Sequence, residues 1–405
     1  MTMNNPSISN EEINQFRADT KGINQKIHFN NAGCSMPPNQ VLETVIDYLR
    51  EEAEMGGYET EAKYLDKLEN VYSLIADFIH AEKEEIALVE NASSAWGIAF
   101  HGIQWNPGDE IIVSEMEYST NLIGFLNAKK FYGIEIIKIM QDEDGNFPIQ
   151  ALENSINSKT KLIAITHIGS SAGSILPIEK IGEIAKKHNI LYLVDACQTL
   201  GHIPIHVGDI GCDFLSVTGR KYMRAPRGTG FLFIRKGIQD RIHPIFMDGH
   251  SVQGIQENGF QYREDARRFE LYEKNRALIL GLGEAIQYAQ KIGMDRIWNR
   301  IQSLAQYLRN SLNSIENVKV EDSGTLKCGI VTFTVAHLDS FLVKNHLLEK
   351  NINVSVGTPQ NTLYYMNKKH LSTVVRASIH YYNSEAEVDI FCLVLKGIIQ
   401  NSKPV

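Results

Sequence analysis

From about Ile27 onward, short apolar runs alternate with amphipathic stretches. The runs are EIALVE (85–90), EIIVSE (110–115), IEIIKI (134–139), KLIAIT (161–166), ILYLVD (190–195), DFLSVT (213–218) and GFLFIR (230–235). Most are apolar almost throughout, as in strands buried on both faces of a helix-covered sheet. Helical patterns lie between several of them. In PIEKIGEIAKKHN, Ile178, Ile181, Ile184 and Ala185 share one face behind Pro177. Strand–helix–strand repetition predicts an α/β fold with a mostly parallel sheet. The last two runs are joined by a Gly- and Pro-rich stretch too short for a helical crossover, which predicts one antiparallel strand.

The pattern changes after about residue 255. QGIQENGFQ reads as a loop, and two long helical patterns follow; in the second, Ile297, Ile301, Leu304, Leu308 and Leu312 keep to one face. Next come the strand-like GIVTFTV (329–335), a polar loop (351–372), another strand, and a last helix after Asn383. Ser384 and Glu387 fit a capping box for that helix. A single core stops growing at roughly 250–300 residues. The expected division is therefore an N-terminal arm (1–26), a large α/β domain (27–255) and a smaller α+β domain (256–405).

Charge and composition remove several function classes. The net charge of −8 leaves no basic excess to neutralise phosphates, so nucleic acid is not an expected partner. No run of about 18 uncharged apolar residues occurs and the N-terminus lacks a signal-peptide pattern, so no membrane partner and a cytoplasmic location are expected. Cys34, Cys197, Cys212, Cys328 and Cys392 lack metal-like spacing and read as free thiols of a reducing compartment, with no metal. His202 and His206 flank Pro204 and read as surface histidines. GLGEAI lacks the third glycine of a dinucleotide fingerprint.

Ligands of open α/β sheets bind beyond the carboxyl ends of the strands. ENASSAWG puts Asn91, Ala92, Ser93 and Ser94 at a strand-to-helix turn, either an anion site or an ordinary helix cap. SEMEYSTN brings Tyr118 past a strand end, to stack on a flat ligand or to pack as a half-buried ring. THIGSSAGS adds His167 and Ser170 to the same rim, as site or loop residues. In LYLVDACQ, Asp195 follows four apolar residues, which is costly unless it caps a turn or meets a cation. SVTGRKYMRAPRGTG places Thr218, Gly219, Arg220 and Lys221 directly after a strand. A lone lysine is ordinarily a surface residue. A rim lysine with a strand-end aspartate suits an amine that joins to a carbonyl cofactor.

Together, NNAG, ENASSA, EMEYSTN, DACQ, SVTGRK, PRGTGFLF and VRASIHYYN resemble the class V aminotransferase family, fold type I enzymes dependent on pyridoxal phosphate. That family includes cysteine desulfurases, selenocysteine lyases, isopenicillin N epimerase and sulfoxide lyases. The resemblance runs from about residue 27 to 395. It implies that pyridoxal phosphate is held covalently by Lys221, with Asp195 at the ring nitrogen, Gln198 near the ring hydroxyl and Tyr118 over the ring face. Ser170 joins the cofactor site, and Ala92, Ser93, Thr218 and Arg220 form the phosphate cup. Arg376, in VRAS, holds the α-carboxylate of a small amino-acid substrate, whose site Asn31, Ala32 and Gly33 line. The catalytic set is Lys221, Asp195 and Tyr118, and a homodimer is implied.

Three departures bear on the reaction. Desulfurases carry a nucleophilic cysteine on a loop shortly before the carboxylate arginine; here NVSVGTPQNTLYYMNKK has none. Tyr118 stands where desulfurases have a histidine. Glu273 lies near the place of a threonine that in relatives reaches the partner's phosphate. These departures favour a lyase that breaks a C–S bond β to the amine without an enzyme persulfide; epimerisation or amino transfer is the alternative. A cofactor-free scaffold would need no Lys, Asp and Arg together. Cys34, beside NNAG, is the thiol expected nearest the substrate, and Cys197 is expected to pack against the sheet.

Overall fold

The structure is a computed structural model, described here for residues 7–402. The seven apolar runs form one sheet: β1 (Ile86–Val89), β2 (Glu110–Ser114), β3 (Glu135–Ile139), β4 (Thr160–Thr166), β5 (Leu191–Asp195), β6 (Phe214–Thr218) and β7 (Gly230–Ile234). Their order is β1-β7-β6-β5-β4-β2-β3, and β7 alone runs antiparallel to its neighbours. Except for the edge strand β3, nearly every strand residue is buried, which the continuous apolar runs require. Helix Ile178–Lys187 lays Ile178, Ile181, Ile184 and Ala185 into the core. Gly182 lets this helix close on the chain at Ile210, whose carbonyl oxygen would lie 1.8 Å from a Cβ there.

Register sets what stands at the carboxyl edge. Thr166 pairs with Asp195, Asp195 with Ser216, and Gly230 with both Thr218 and Val89. The ends of β1, β4, β5 and β6 therefore share one rim.

A second, antiparallel sheet is built from β10 (Val318–Val320), β11 (Ile330–Val335), β12 (Ser355–Gly357) and β13 (Val374–Ser378), in the order β10-β11-β13-β12. Helices Met294–Asn313, Ser340–Glu349 and Glu385–Asn401 supply its core with residues such as Leu304, Leu308, Val343 and Phe391. The last helix has the expected capping box of Ser384 and Glu387.

Three expectations are corrected, and the N-terminal arm is placed. QGIQENGFQ lies in a hairpin, β8 (Val252–Gln256) and β9 (Gly259–Tyr262), rather than in a loop. The segment 351–372 is not a free polar loop: it holds β12 and helix Leu363–Lys368, with Thr362, Tyr365 and Met366 fully buried. The described part of the expected arm packs on its own chain. Ile13, Phe16 and Ile23 are buried, Arg17 pairs with Glu387 at 2.9 Å, and Thr20 accepts from Arg224 at 2.6 Å. His202 is not a surface residue; it is fully buried and stacked on Tyr222 with centroids 3.8 Å apart.

The Gly329 N–H donates to His202 Nε2 at 2.9 Å, so Nδ1 carries the proton and donates to the Gln198 carbonyl at 2.9 Å. This neutral ring ties the large sheet to β11. Burial pushes its pKa down to about 3. The folded value lies below the unfolded one, near 6.5, so the stabilisation is present above that pH and is lost as pH falls toward 3. Unfolding free energy should therefore drop between pH 7 and pH 5 by ~2 kcal/mol less in His202→Gln than in the parent chain. Urea titrations at the two pH values check this; equal drops would refute it.

Candidate functional site

A cleft opens on the carboxyl rim of the large sheet, where β12 and β13 face it. It gathers nearly all of the residues singled out from the sequence: Ala32 and Gly33; Ala92 and Ser93; Tyr118; Ser170; Asp195 and Gln198; Thr218, Arg220 and Lys221; and Arg376. Asn31 is the exception. Its side chain turns away, donating to Ser378 O at 2.8 Å and accepting from the Tyr382 hydroxyl at 2.5 Å. It anchors the turn that presents Ala32 and Gly33 and does not line the cleft. His167 is also outside, buried and bonded to the Thr199 hydroxyl at 2.9 Å.

Four charged residues line the cleft, and three are cations. Lys221 lies past β6 with its amine 5.9 Å from the centroid of the Tyr118 ring. Burial holds that amine below the ordinary lysine range; Arg220 and Arg376 push the same way, while Cys197 and Asp195 oppose. Arg376 sits mid-strand in β13, opposite Thr332 and Ser355. It donates to the Ser170 carbonyl at 2.8 Å, its Nε has no partner, and no carboxylate pairs with it among the described residues. Arg220 donates to the Gly33 carbonyl. The one anion is Asp195, whose Oδ1 accepts the Cys197 N–H at 2.9 Å and whose Oδ2 accepts the Asn121 amide at 3.0 Å.

The polar lining is partly unmet. Gln198 donates through Nε2 to Ala32 O at 3.1 Å, leaving Oε1 buried without a partner, as is Ser170 Oγ. The Asn91 side chain caps helix Ala92–His101 by accepting from the Ser94 N–H at 2.9 Å. The Ala92 and Ser93 N–H groups lie in the first turn, beyond any helical carbonyl. An excess of cations, a helix N-terminus and unmatched polar atoms suit an anionic, polar ligand bearing a phosphate and a carboxylate.

Three features escaped the sequence reading. Glu117 and Asn121, one turn apart in EMEYSTN, are buried directly behind Asp195. Burial pushes the Glu117 carboxyl up to about 7, against hydrogen bonds from Thr166, Ser114 and Asn121. The only signal was an acidic residue set between a strand end and a helix. The thiol of the cleft is Cys197, not Cys34. Burial, reinforced by Asp195, pushes the Cys197 thiol well above its usual range, so it stays protonated. Glu273 is exposed beside Lys274, which pairs with buried Glu270.

The family profile described as Aminotransferase class-V matches residues 27–391. A protein of Borreliella burgdorferi named probable cysteine desulfurase is 30% identical, over 96% of this chain and 97% of its own. One of the same name from Methanothermobacter thermautotrophicus is 28% identical, over 94% and 97%. The apo structure of a cysteine desulfurase from Thermococcus onnurineus superposes with a TM-score of 0.90 at 29% identity, over 96% of this chain and 98% of the other.

The surplus of positive charge predicts that the cofactor-free protein binds anions. Inorganic phosphate should raise its melting temperature by a few degrees, and Arg220→Ala should remove most of that gain. Differential scanning fluorimetry with and without phosphate checks this; an undiminished gain in the variant would take Arg220 out of the anion site.

Proposed function

Because the chain belongs to the class V aminotransferase family and is thus a pyridoxal-phosphate-dependent enzyme, we propose that it is a carbon–sulfur lyase of a small amino acid that releases sulfur without passing it through an enzyme cysteine. The observation that carries this is the state of the segment before Arg376. It has no thiol, and it is docked. The Tyr365 N–H donates to Glu115 O at 3.2 Å, and Lys368 pairs with Glu115 at 3.2 Å and donates to Gln141 O at 2.5 Å. A persulfide relay needs a mobile, ionised thiol. Cys197 is fixed and protonated, and Cys212, Cys328 and Cys392 are buried.

Pyridoxal phosphate, when bound, supplies a cationic conjugated ring that takes up the electron pair released at an amino acid's α-carbon. The residues of the cleft fit it. Lys221 would hold it covalently and, once freed, would move the α-proton through an amine that burial holds below the ordinary lysine range. The Asp195 carboxylate would keep a proton on the ring nitrogen, Gln198 would meet the ring hydroxyl, and Tyr118 would cover one face. Ala92, Ser93, Thr218 and Arg220 would hold the phosphate, and Ser170 would join the cofactor site. Arg376 takes the substrate carboxylate through the donors left free beside Ser170. As the α-proton goes to Lys221, the Cβ–S bond breaks and its electron pair leaves with the sulfur. What is left of a three-carbon substrate then takes up one water and ends as pyruvate and ammonia.

The names of the relatives support sulfur chemistry. No helix among the described residues is long and apolar enough to cross a membrane, and the five unpaired cysteines fit a cytoplasmic location. A homodimer fits the apolar residues left exposed at Phe246 and on the β8–β9 hairpin at Ile255 and Phe260.

Two measurements test the reading. Incubated with sulfur-bearing amino acids, the enzyme should yield sulfide or persulfide with pyruvate and ammonia, and Cys34→Ala and Cys197→Ala should each keep turnover within about threefold of the parent. Loss of sulfur release in either variant, with the cofactor still bound, would replace the thiol-free lyase by a relay through that cysteine. In sedimentation at micromolar concentration the enzyme should run at twice its chain mass; a single-chain species alone would end the homodimer proposal.

A further inference from the structure

We infer that Glu117 and Asn121 act as a positioning pair that fixes the orientation of the Asp195 carboxylate, and through it the strength with which the chain holds its cofactor. The inference rests on the proposed reading that Asp195 faces the ring of that cofactor.

The two oxygens of Asp195 are held in different ways. Oδ1 is held locally, by the N–H two residues on. Oδ2 is held by the Asn121 amide at 3.0 Å, from the turn that follows β2. An amide side chain is nearly symmetric in shape, and it could present its carbonyl to Asp195 as easily as its NH2. The far side of Asn121 decides which. There the amide nitrogen lies 3.3 Å from Glu117 Oε2 and 3.2 Å from Thr166 Oγ1. The Thr166 hydroxyl proton is committed to Glu117 Oε2 at 2.8 Å, so both groups present acceptors. Asn121 must then direct NH2 at Glu117 and Asp195 together.

Glu117 is itself pinned. Its Oε1 accepts from the Ser114 hydroxyl at 2.8 Å and the Thr166 N–H at 2.9 Å. It is 2% exposed, and no cation pairs with it among the described residues. Burying an unpaired carboxyl is expensive, and an apolar residue would serve packing as well. In its ionised form, the one at which the Ser114, Thr166 and Asn121 donors aim, the carboxyl offers two oxygens that only accept, which glutamine does not.

Glutamine would break the arrangement. Its carbonyl would take the Oε1 side, toward Ser114 and the Thr166 N–H, and its NH2 would face Asn121. Two NH2 groups cannot face one another, so Asn121 would turn over and aim its carbonyl oxygen at Asp195 Oδ2. The carboxylate would lose a donor and gain a repulsive neighbour.

The test is a double-mutant cycle on the cofactor-stripped enzyme, titrated with pyridoxal phosphate. Glu117→Gln should weaken binding roughly tenfold, the size expected for one lost hydrogen bond to a charged group. In the Asp195→Asn background the same change should cost less than about twofold. The visible absorbance of the bound cofactor, which reports on the ring's protonation, should move in Glu117→Gln in the same direction as in Asp195→Asn. An equal loss in both backgrounds, or unchanged affinity and spectrum, would overturn the inference. Parent-like affinity and spectrum in Asp195→Asn alone would instead remove the reading of Asp195 on which the inference stands, and the inference with it. If Glu117→Gln does not fold, Asn121→Ala takes its place in the cycle: a loss confined to the Asp195 background supports the pair, and an equal loss in both backgrounds overturns it.

Discussion

Three cations and one carboxylate line a half-buried cleft, and much of the architecture exists to hold them there. Arg220 and Lys221 follow β6, Asp195 ends β5, and Arg376 is the middle of a strand in the other sheet. Like charges brought together out of water raise one another's cost. The result is visible in Lys221 and Arg376, both held below their usual ranges chiefly by burial. Covalent geometry makes Arg220 and Lys221 neighbours, and the pairing of β5 with β6 brings Asp195 to them. Arg376 needs the two sheets docked at a fixed distance. The buried contacts that span them, such as the Gly329 N–H on His202 and Arg376 on the Ser170 carbonyl, are thus also what sets the charge density of the cleft.

The large sheet could be read from the chain because strands buried on both faces leave an unmistakable trace: all seven runs became strands, with the return strand antiparallel as the short Gly- and Pro-rich connection demanded. The cleft was legible for the same reason. Once the strand ends are known, the polar residues just beyond them must share a rim.

What the sequence hid depends on contacts far along the chain. Tyr365 and Met366 sit in a polar stretch and are buried in the main apolar cluster, where Lys368 and the Tyr365 N–H meet Glu115, some 250 residues earlier. QGIQENGFQ has no alternation to mark a hairpin, since β8 and β9 bury almost nothing. His202 reads as a surface residue because a Pro two positions on suggests a turn; the partner that buries it, Gly329, lies in another sheet. Asn31 shares a motif with Ala32 and Gly33 but not their direction, because successive residues of a turn point different ways. The same holds for the thiols: Cys197 follows a strand end that opens onto the cleft, whereas the Cys34 thiol donates to Ser35 O within its own turn.

The proposed reaction places its main demand on the substrate. In a thiol relay the enzyme's sulfur attacks the substrate's sulfur, and a nearby imidazolium can assist by protonating what departs. Here the ring beside Lys221 is a phenol, Tyr118, and phenols are weaker acids than imidazolium by roughly three to four pKa units. In the proposed reading the cleft thus offers a base for the α-proton, an anchor for the carboxylate and little help for the leaving sulfur. Elimination then runs fastest where the sulfur can carry its own negative charge. That favours substrates in which a second sulfur, an oxygen or another electron-withdrawing group is bonded to the departing atom over a simple thiol. The specificity of such an enzyme would be set less by the walls of its cleft than by the stability of the anion that leaves.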